Sequence, residues 1–286
     1  MGESLFHPRF PKNVIPAQMK VVLQEMADTN DFPDAHLSEI WTKKRLAGHP
    51  LSQITIGLKE AVESFKQEDF FRFAKKYYHP KNFTYIAVGS VDPLKLIGLI
   101  TNQFPTDVPE RNKHKRQPCA LPDKPAEKLV LYKEIEQAHI VFASIFPAIT
   151  EKETRAFNLF KVMISGGMSF PFFLEIREKH GFCYSVHSHI QQRSDATFFG
   201  IKMTTLPSNY EKALDLALKI IAEEKENEKL LKRAKTLIRG NYSLDDDTMG
   251  ILIKAARRVS IHGIPLSSEE NVKRYEEVTI DEIVGV

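Results

Sequence analysis

Two residues in the stretch EIREKHGFCYSV, which runs from Glu175 to Val186, could do chemistry together. Arg177 falls in the last turn of an expected helix. Tyr184 opens a strand expected to begin near Cys183, and Gly181 lets the chain turn between them. A guanidinium stays charged at any ordinary pH, and a phenol offers one directed donor. Side by side, they could aim hydrogen bonds at a substrate carbonyl whose oxygen gathers charge during reaction. The same residue types also have a structural use. An arginine can answer the helix dipole, and a tyrosine can keep its ring in the core with its hydroxyl at the rim.

Other constellations are weaker. His187 and His189 share a strand face, as two metal ligands could. No third ligand accompanies them in sequence, so they read as an exposed strand pair. Gly166-Gly167 is a turn between helices, since no Lys-Ser/Thr follows to make a phosphate cradle. The acidic run at 245–247 reads as an N-cap cluster for the next helix, and SFPFF at 169–173 reads as core. Cys119 and Cys183 make neither a disulfide framework nor a CxxC metal site.

The elements that must position these residues follow from composition and periodicity. A length of 286 residues suggests about two domains. The composition is that of a soluble globular protein. The net charge of +3 is too small to argue for nucleic acid. No apolar run is long enough to cross a bilayer, and no signal-peptide pattern follows Met1. A soluble protein is expected, with the cytoplasm favoured and room left for an upstream targeting segment.

Helical spacing predicts helices at about 14–28, 33–46, 58–65, 68–78 and 93–103. NFTYIAVGSVD, at 82–92, reads as a strand. Five prolines and the basic run RNKHKRQP make residues 105–126 a stiffened, solvated linker. Beyond it, KLVLYKE (128–134) and AHIVFASIF (138–146) read as strands. Helices follow at 151–165 and 170–179, then a hairpin of YSVHSHIQQ and ATFFGIKMTT. Further helices are expected at 208–224, 227–242 and 247–261, and a last one begins at TIDE, a capping-box spelling with Thr279 and Glu282. The fold class is α+β: two homologous domains of antiparallel sheet covered by helices, the first incomplete. The division is 1–104, linker 105–126, and 127–286.

The incompleteness is argued from a lone strand and a repeat. One strand in the first domain leaves its backbone groups without partners. GHPLSQITIGLKEAVESFKQEDFF also aligns with IHGIPLSSEENVKRYEEVTIDEIV, placing His49 on His262, Val62 on Tyr275, Phe65 on Val278 and Phe70 on Ile283. From the offset of the repeat, about 85 residues are expected upstream of Met1. A strand equivalent to 82–92 is expected beyond Val286.

ISGGMSFPFFLEIREKHGFCYSV resembles the pitrilysin/insulinase class of zinc metallopeptidases, in its processing-peptidase-like branch. VVLQEM, HPLSQITIG, YYHPKNFTYIAVGSVD and VTIDEI look like further landmarks of that family in the expected order. The resemblance implies a clam-like pair of domains that cleaves unstructured peptides in a closed chamber. An H-x-x-E-H helix in the first domain would supply two zinc ligands and a general base. None of the ten histidines here has that spacing, so the chain alone is expected to be inactive. The resemblance makes Glu25, which ends VVLQE, the third zinc ligand; Gln18 stands where the family often has a second acid. It makes Arg177 and Tyr184 the pair that holds the substrate backbone and stabilises the oxyanion. Pro171 and Phe172 stand where the family usually has Arg-Leu.

The expected partners are a peptide substrate and a second subunit, either a copy of the chain or a related one. A different class of function is a non-catalytic partner or scaffold subunit that binds peptide without hydrolysis. A third, an unrelated α+β binding module, leaves the missing strands unexplained.

Overall fold

The computed structural model describes residues 2–104, 118, 128–193, 195–245, 250, 253, 256, 259 and 267–285. They group into two units. One holds residues 1–31, 54–116 and 247–266; the other holds 32–53, 117–246 and 267–286. The linker expected at 105–126, apart from Pro118, lies outside the described residues, as do most of the expected helix 247–261 and the acidic cluster before it.

The first unit is helical. It contains α1 (Gly2–Phe6), α2 (Ile15–Asp31), α4 (Lys59–Ser64), α5 (Gln67–Tyr77) and α6 (Pro93–Gln103). Helix α6 starts where the sequence says it should. Asp92 accepts from the backbone N–H groups of Leu94 and Lys95, and Pro93 takes the first turn, where its missing N–H costs nothing. Phe10 packs edge-on against Phe71 and beside Phe70, and the Gln67 side chain donates to the Phe10 carbonyl at 2.7 Å. Helix α2 packs on α4, and an open cleft of about 670 Å³ runs along Ile15, Met19, Leu23 and Phe65.

The strand expected at 82–92 does not form among the described residues. Phe83 is extended, at φ −99° and ψ 138°, but the segment joins no ladder. Side-chain propensity favours an extended backbone, whereas a strand needs a paired neighbour. The same correction applies to 128–134, which also forms no ladder and leaves Val130 75% and Tyr132 91% exposed.

The second unit is built on three antiparallel strands: β1 (Ala138–Pro147), β2 (Cys183–Gln192) and β3 (Ala196–Thr205), in the order β1-β3-β2. The hairpin of β2 and β3 is the expected one, and β1 joins the far edge of β3. One face of the sheet carries the main core. Ile201 and Met203 of β3 meet Leu159, Met163 and Ile164 of α7 (Glu151–Ser165), together with Ile176 and Phe172. Helices α8 (Tyr210–Glu224), α9 (Glu228–Asp245), α10 (Ser268–Glu276) and α11 (Ile280–Val284) complete that layer. Helix α7 is fixed at its start by a capping box. Thr150 accepts from the Glu153 N–H while Glu153 accepts from the Thr150 N–H, and these hydrogen bonds hold the Glu153 carboxyl below the usual range. Thr279 and Glu282 make the same box at α11, as the sequence predicts.

The other face of the sheet meets α3 (Pro33–Arg45). Trp41 packs edge-on against Phe198, and Leu46 and Leu51 complete a small apolar cluster with Ala196 and Ile145. At the far end of α3, Asp34 Oδ1 lies 2.7 Å from His139 Nδ1. These contacts group residues 32–53 with the second unit.

Gly200 is central to this face because it sits opposite both Ala143 and His189 in the two ladders. A Cβ there would come within 2.7 Å of the Ala143 Cβ, 2.8 Å of the His189 ring and 3.0 Å of the Phe142 carbonyl oxygen. The His189 Nδ1 is buried with no hydrogen-bond partner among the described residues. Burial, followed by the charges of Lys202, His187 and Lys161, pushes the imidazole down to about 4.

Three outcomes follow for stability. Leu159→Ala, at a fully buried site in the main core, should cost about 2–5 kcal/mol in denaturant unfolding. Gly200→Ala should cost about 1–3 kcal/mol, because backbone and Cβ neighbours must give way. The unfolded chain holds a proton on His189 below about pH 6.5, where the folded chain does not until about pH 4. The stability from burying the neutral ring is therefore full above pH 6.5 and is lost as pH falls towards 4. His189→Gln should remove on the order of 1–3 kcal/mol of that acid loss, read as the wild-type-minus-variant difference in unfolding free energy across the window.

Candidate functional site

Arg177 belongs to a π helix, Phe172–Lys179, rather than the α-helix expected at 170–179. Its wide winding shows in the His180 N–H, which donates to the Glu175 carbonyl five residues back at 3.2 Å. The helix is anchored by its inward face. Phe172 and Ile176 are fully buried, so Phe172, at the position where the family pattern has Leu, serves the core. Gly181, at a φ of 60°, then turns the chain, a conformation that suits glycine and strains other residues. The Thr205 hydroxyl bonds the Phe182 carbonyl and fastens the turn to β3.

Tyr184 is aimed by an irregularity in β2. Cys183 pairs with Thr205 and Ser185 pairs with Thr204, so Tyr184 is the extra residue of a β-bulge. The phase of the strand changes across it. Cys183 and Val186, three residues apart, both pack on the main core, leaving Tyr184 68% exposed. Burial pushes the Cys183 thiol up to about 11, with the nearby Arg177 charge pulling the other way. The buried thiol is thus held as a neutral, inert core group.

The two residues singled out in the sequence come together. The Arg177 guanidinium carbon lies 5.3 Å from the centre of the Tyr184 ring and 4.9 Å from that of Phe173. Its ion pair with Glu178 is long, at 3.8 Å, and partly exposed. Neither the guanidinium nor the Tyr184 hydroxyl makes a hydrogen bond to another described residue. The arrangement can present several N–H donors and one phenolic O–H to an incoming carbonyl or carboxylate. Phe173, read from the sequence as core within SFPFF, is instead half-buried under Arg177, at the four-residue spacing standard for side-chain pairs on a helix.

Glu25 lies on α2, in the first unit, with its side chain exposed. Its carbonyl accepts from the Thr29 hydroxyl at 2.9 Å. No group of three or more His, Cys, Asp or Glu side chains able to hold a metal occurs among the described residues. The described residues alone therefore do not fit a zinc site. His187 and His189 lie on β2, and burial pushes both below the ordinary histidine range. No helix among the described residues is long and apolar enough to cross a membrane.

Comparison with known proteins places the chain in a family. The chain is 25% identical over 279 residues to a zinc protease of Streptomyces coelicolor, covering 93% of this chain and 60% of that protein. It is 26% identical over 282 residues to a zinc protease of Rickettsia felis, covering 96% and 67%. The chain thus spans about three fifths of the Streptomyces relative's length. In three dimensions it is similar to a protease from Helicobacter pylori, with a TM-score of 0.84 and 16% identity over 99% of this chain and 70% of that one. It is also similar to a peptidase M16 inactive domain from Pseudomonas fluorescens, with a TM-score of 0.81 and 19% identity over 99% and 68%. A chain of Complex III2 from Candida albicans shares the fold, with a TM-score of 0.77 and 16% identity over 95% and 66%. The profile described as "Peptidase M16 inactive domain" matches residues 64–238, more than half of the sequence, and the chain belongs to that family.

Proposed function

We propose that this chain is the substrate-holding part of a zinc-dependent metalloendopeptidase that cleaves unstructured peptides in a closed chamber. The observation that carries the reading is the Arg177–Tyr184 pair, brought within 5.3 Å by a π helix and a β-bulge, with its donors exposed and unengaged by other described residues. Arg177 and Tyr184 grip the backbone carbonyls of an extended peptide. As the scissile carbonyl becomes tetrahedral, the same donors oppose the charge on its oxygen. Glu25 is the one carboxylate that this chain contributes to a zinc held otherwise by residues outside it, and it takes no part in gripping the peptide. The enzyme closes its chamber by pairing with a second copy or a related subunit.

A second reading has its own support. The sequence contains no H-x-x-E-H, and its family profile is described as an inactive domain. In a non-catalytic partner subunit the same pair would hold peptide, with hydrolysis left to another chain or absent.

Binding of a fluorescently labelled unstructured peptide to this chain tests the grip. Arg177→Ala should weaken it roughly tenfold to a hundredfold, the loss of a charge-assisted hydrogen bond. Tyr184→Phe should weaken it roughly two- to tenfold, and Glu25→Gln should leave it unchanged. Unchanged affinity in Arg177→Ala would sink the grip. The two readings separate in the longest natural polypeptide that carries this chain. The peptidase reading expects zinc-dependent cleavage that Glu25→Gln reduces at least a hundredfold, whereas the partner reading expects no cleavage to lose.

A further inference from the structure

Resting on that grip, we propose that Phe173 is a positioning residue for Arg177. Its ring forms the floor on which the guanidinium lies, so that Phe173, Arg177 and Tyr184 act as one unit in binding peptide.

The argument begins with what an arginine lacks here. An exposed guanidinium on a flexible stem samples many rotamers, and ordering it on substrate costs side-chain entropy. Strong carboxylate pairing could fix it, but would also occupy the donors that the substrate needs. Glu178, at 3.8 Å and 57% exposed, is too distant for a hydrogen bond and holds Arg177 weakly. Aromatic faces solve both parts of the problem. A guanidinium near a ring is attracted by the ring quadrupole through its flat face, leaving its in-plane N–H groups free. Arg177 has two such neighbours, Phe173 at 4.9 Å and Tyr184 at 5.3 Å.

The two rings are not equivalent. Tyr184 is 68% exposed and belongs to the pair that touches substrate. Phe173 is half-buried and lies next to Phe172, whose ring is wholly within the core. It therefore sits on the part of the π helix that the core holds still. That rigidity passes to Arg177 through the stacked face. The neighbouring Leu174, 43% exposed, has no ring to offer. Phe173 has no polar group to bind a peptide carbonyl, so it acts through Arg177.

A double-mutant cycle tests this on the whole chain, with a fluorescently labelled, end-blocked peptide of alanine and glycine as probe. Phe173→Leu should weaken binding about three- to tenfold in the wild-type background. It should have no effect in the Arg177→Ala background, and Phe173→Tyr should restore affinity. Phe173→Met serves as a second ring-less variant if the leucine variant unfolds at a lower temperature than wild type. Equal losses in both backgrounds would show a merely structural role and overturn the proposal, as would full affinity in Phe173→Leu. If Arg177→Ala itself binds as wild type does, the grip fails first and the role of Phe173 falls with it. An intact Arg177 effect with a silent Phe173 leaves the grip standing and rejects only the positioning role.

Discussion

The second unit depends on β3 being paired along both edges while packing different groups on its two faces. Ile201 and Met203 enter the main core beneath α7, and Ala196 and Phe198 join the cluster around Leu46 and Trp41. A one-residue slip would exchange the two sets, so each face fixes the register of the strand. Gly200 tightens the constraint, since the side chains of Ala143 and His189 occupy the space that a Cβ would need. Register in β3 then dictates register in β1 and β2. The position of Tyr184 is thus inherited from a core to which it does not itself belong.

Two departures from regular geometry bring Arg177 and Tyr184 together beside that core. Regular alternation along β2 would put Cys183 and Val186 on opposite faces, yet both pack on the main core. Only an inserted residue allows this, and the inserted residue is Tyr184. On the preceding element, π winding presents Arg177 outward while Phe172 and Ile176 stay buried. A bulge and a π turn both forgo ideal backbone hydrogen bonding, and such irregularities concentrate where a side chain must be aimed. Here they occur on either side of one tight turn, and they deliver a cation and a phenol to the same spot.

Much of this was legible in the sequence. The hairpin of β2 and β3, the cap at Thr279, and α6 beginning at Pro93 all follow from local rules, because capping and turn chemistry act over a few residues. The Arg177–Tyr184 junction was legible for the same reason. What escaped was non-local. Residues 82–92 and 128–134 have strand composition, but a ladder requires a partner that composition does not specify. The bulge at Tyr184 comes from matching β2 to β3 across the hairpin, and the π winding of Phe172–Lys179 has no local spelling. Helix α3 meets the sheet through Trp41 against Phe198 and Asp34 against His139, the latter pair 105 residues apart in sequence. Glu25 was picked out only through family resemblance, since an exposed helical carboxylate has no local feature that distinguishes it.

The environment of Arg177 also bears on which ligand the proposed grip would favour, an extended peptide or a small anion. A charge left on the surface with a weak ion pair has lost little solvation, so its donors are available without first breaking a strong bond. Covering it with an extended peptide removes water from the guanidinium and from the flanking rings at once. The hydrogen bonds then form in a lower effective dielectric, where they are worth more than in water. A small anion leaves the rings exposed and gains little from that exclusion. On the proposed grip, the aromatic surface around Arg177 would therefore favour a ligand that is long, polar along its backbone and able to lie flat. An unstructured polypeptide has those properties, and a folded one has already spent its carbonyls on itself.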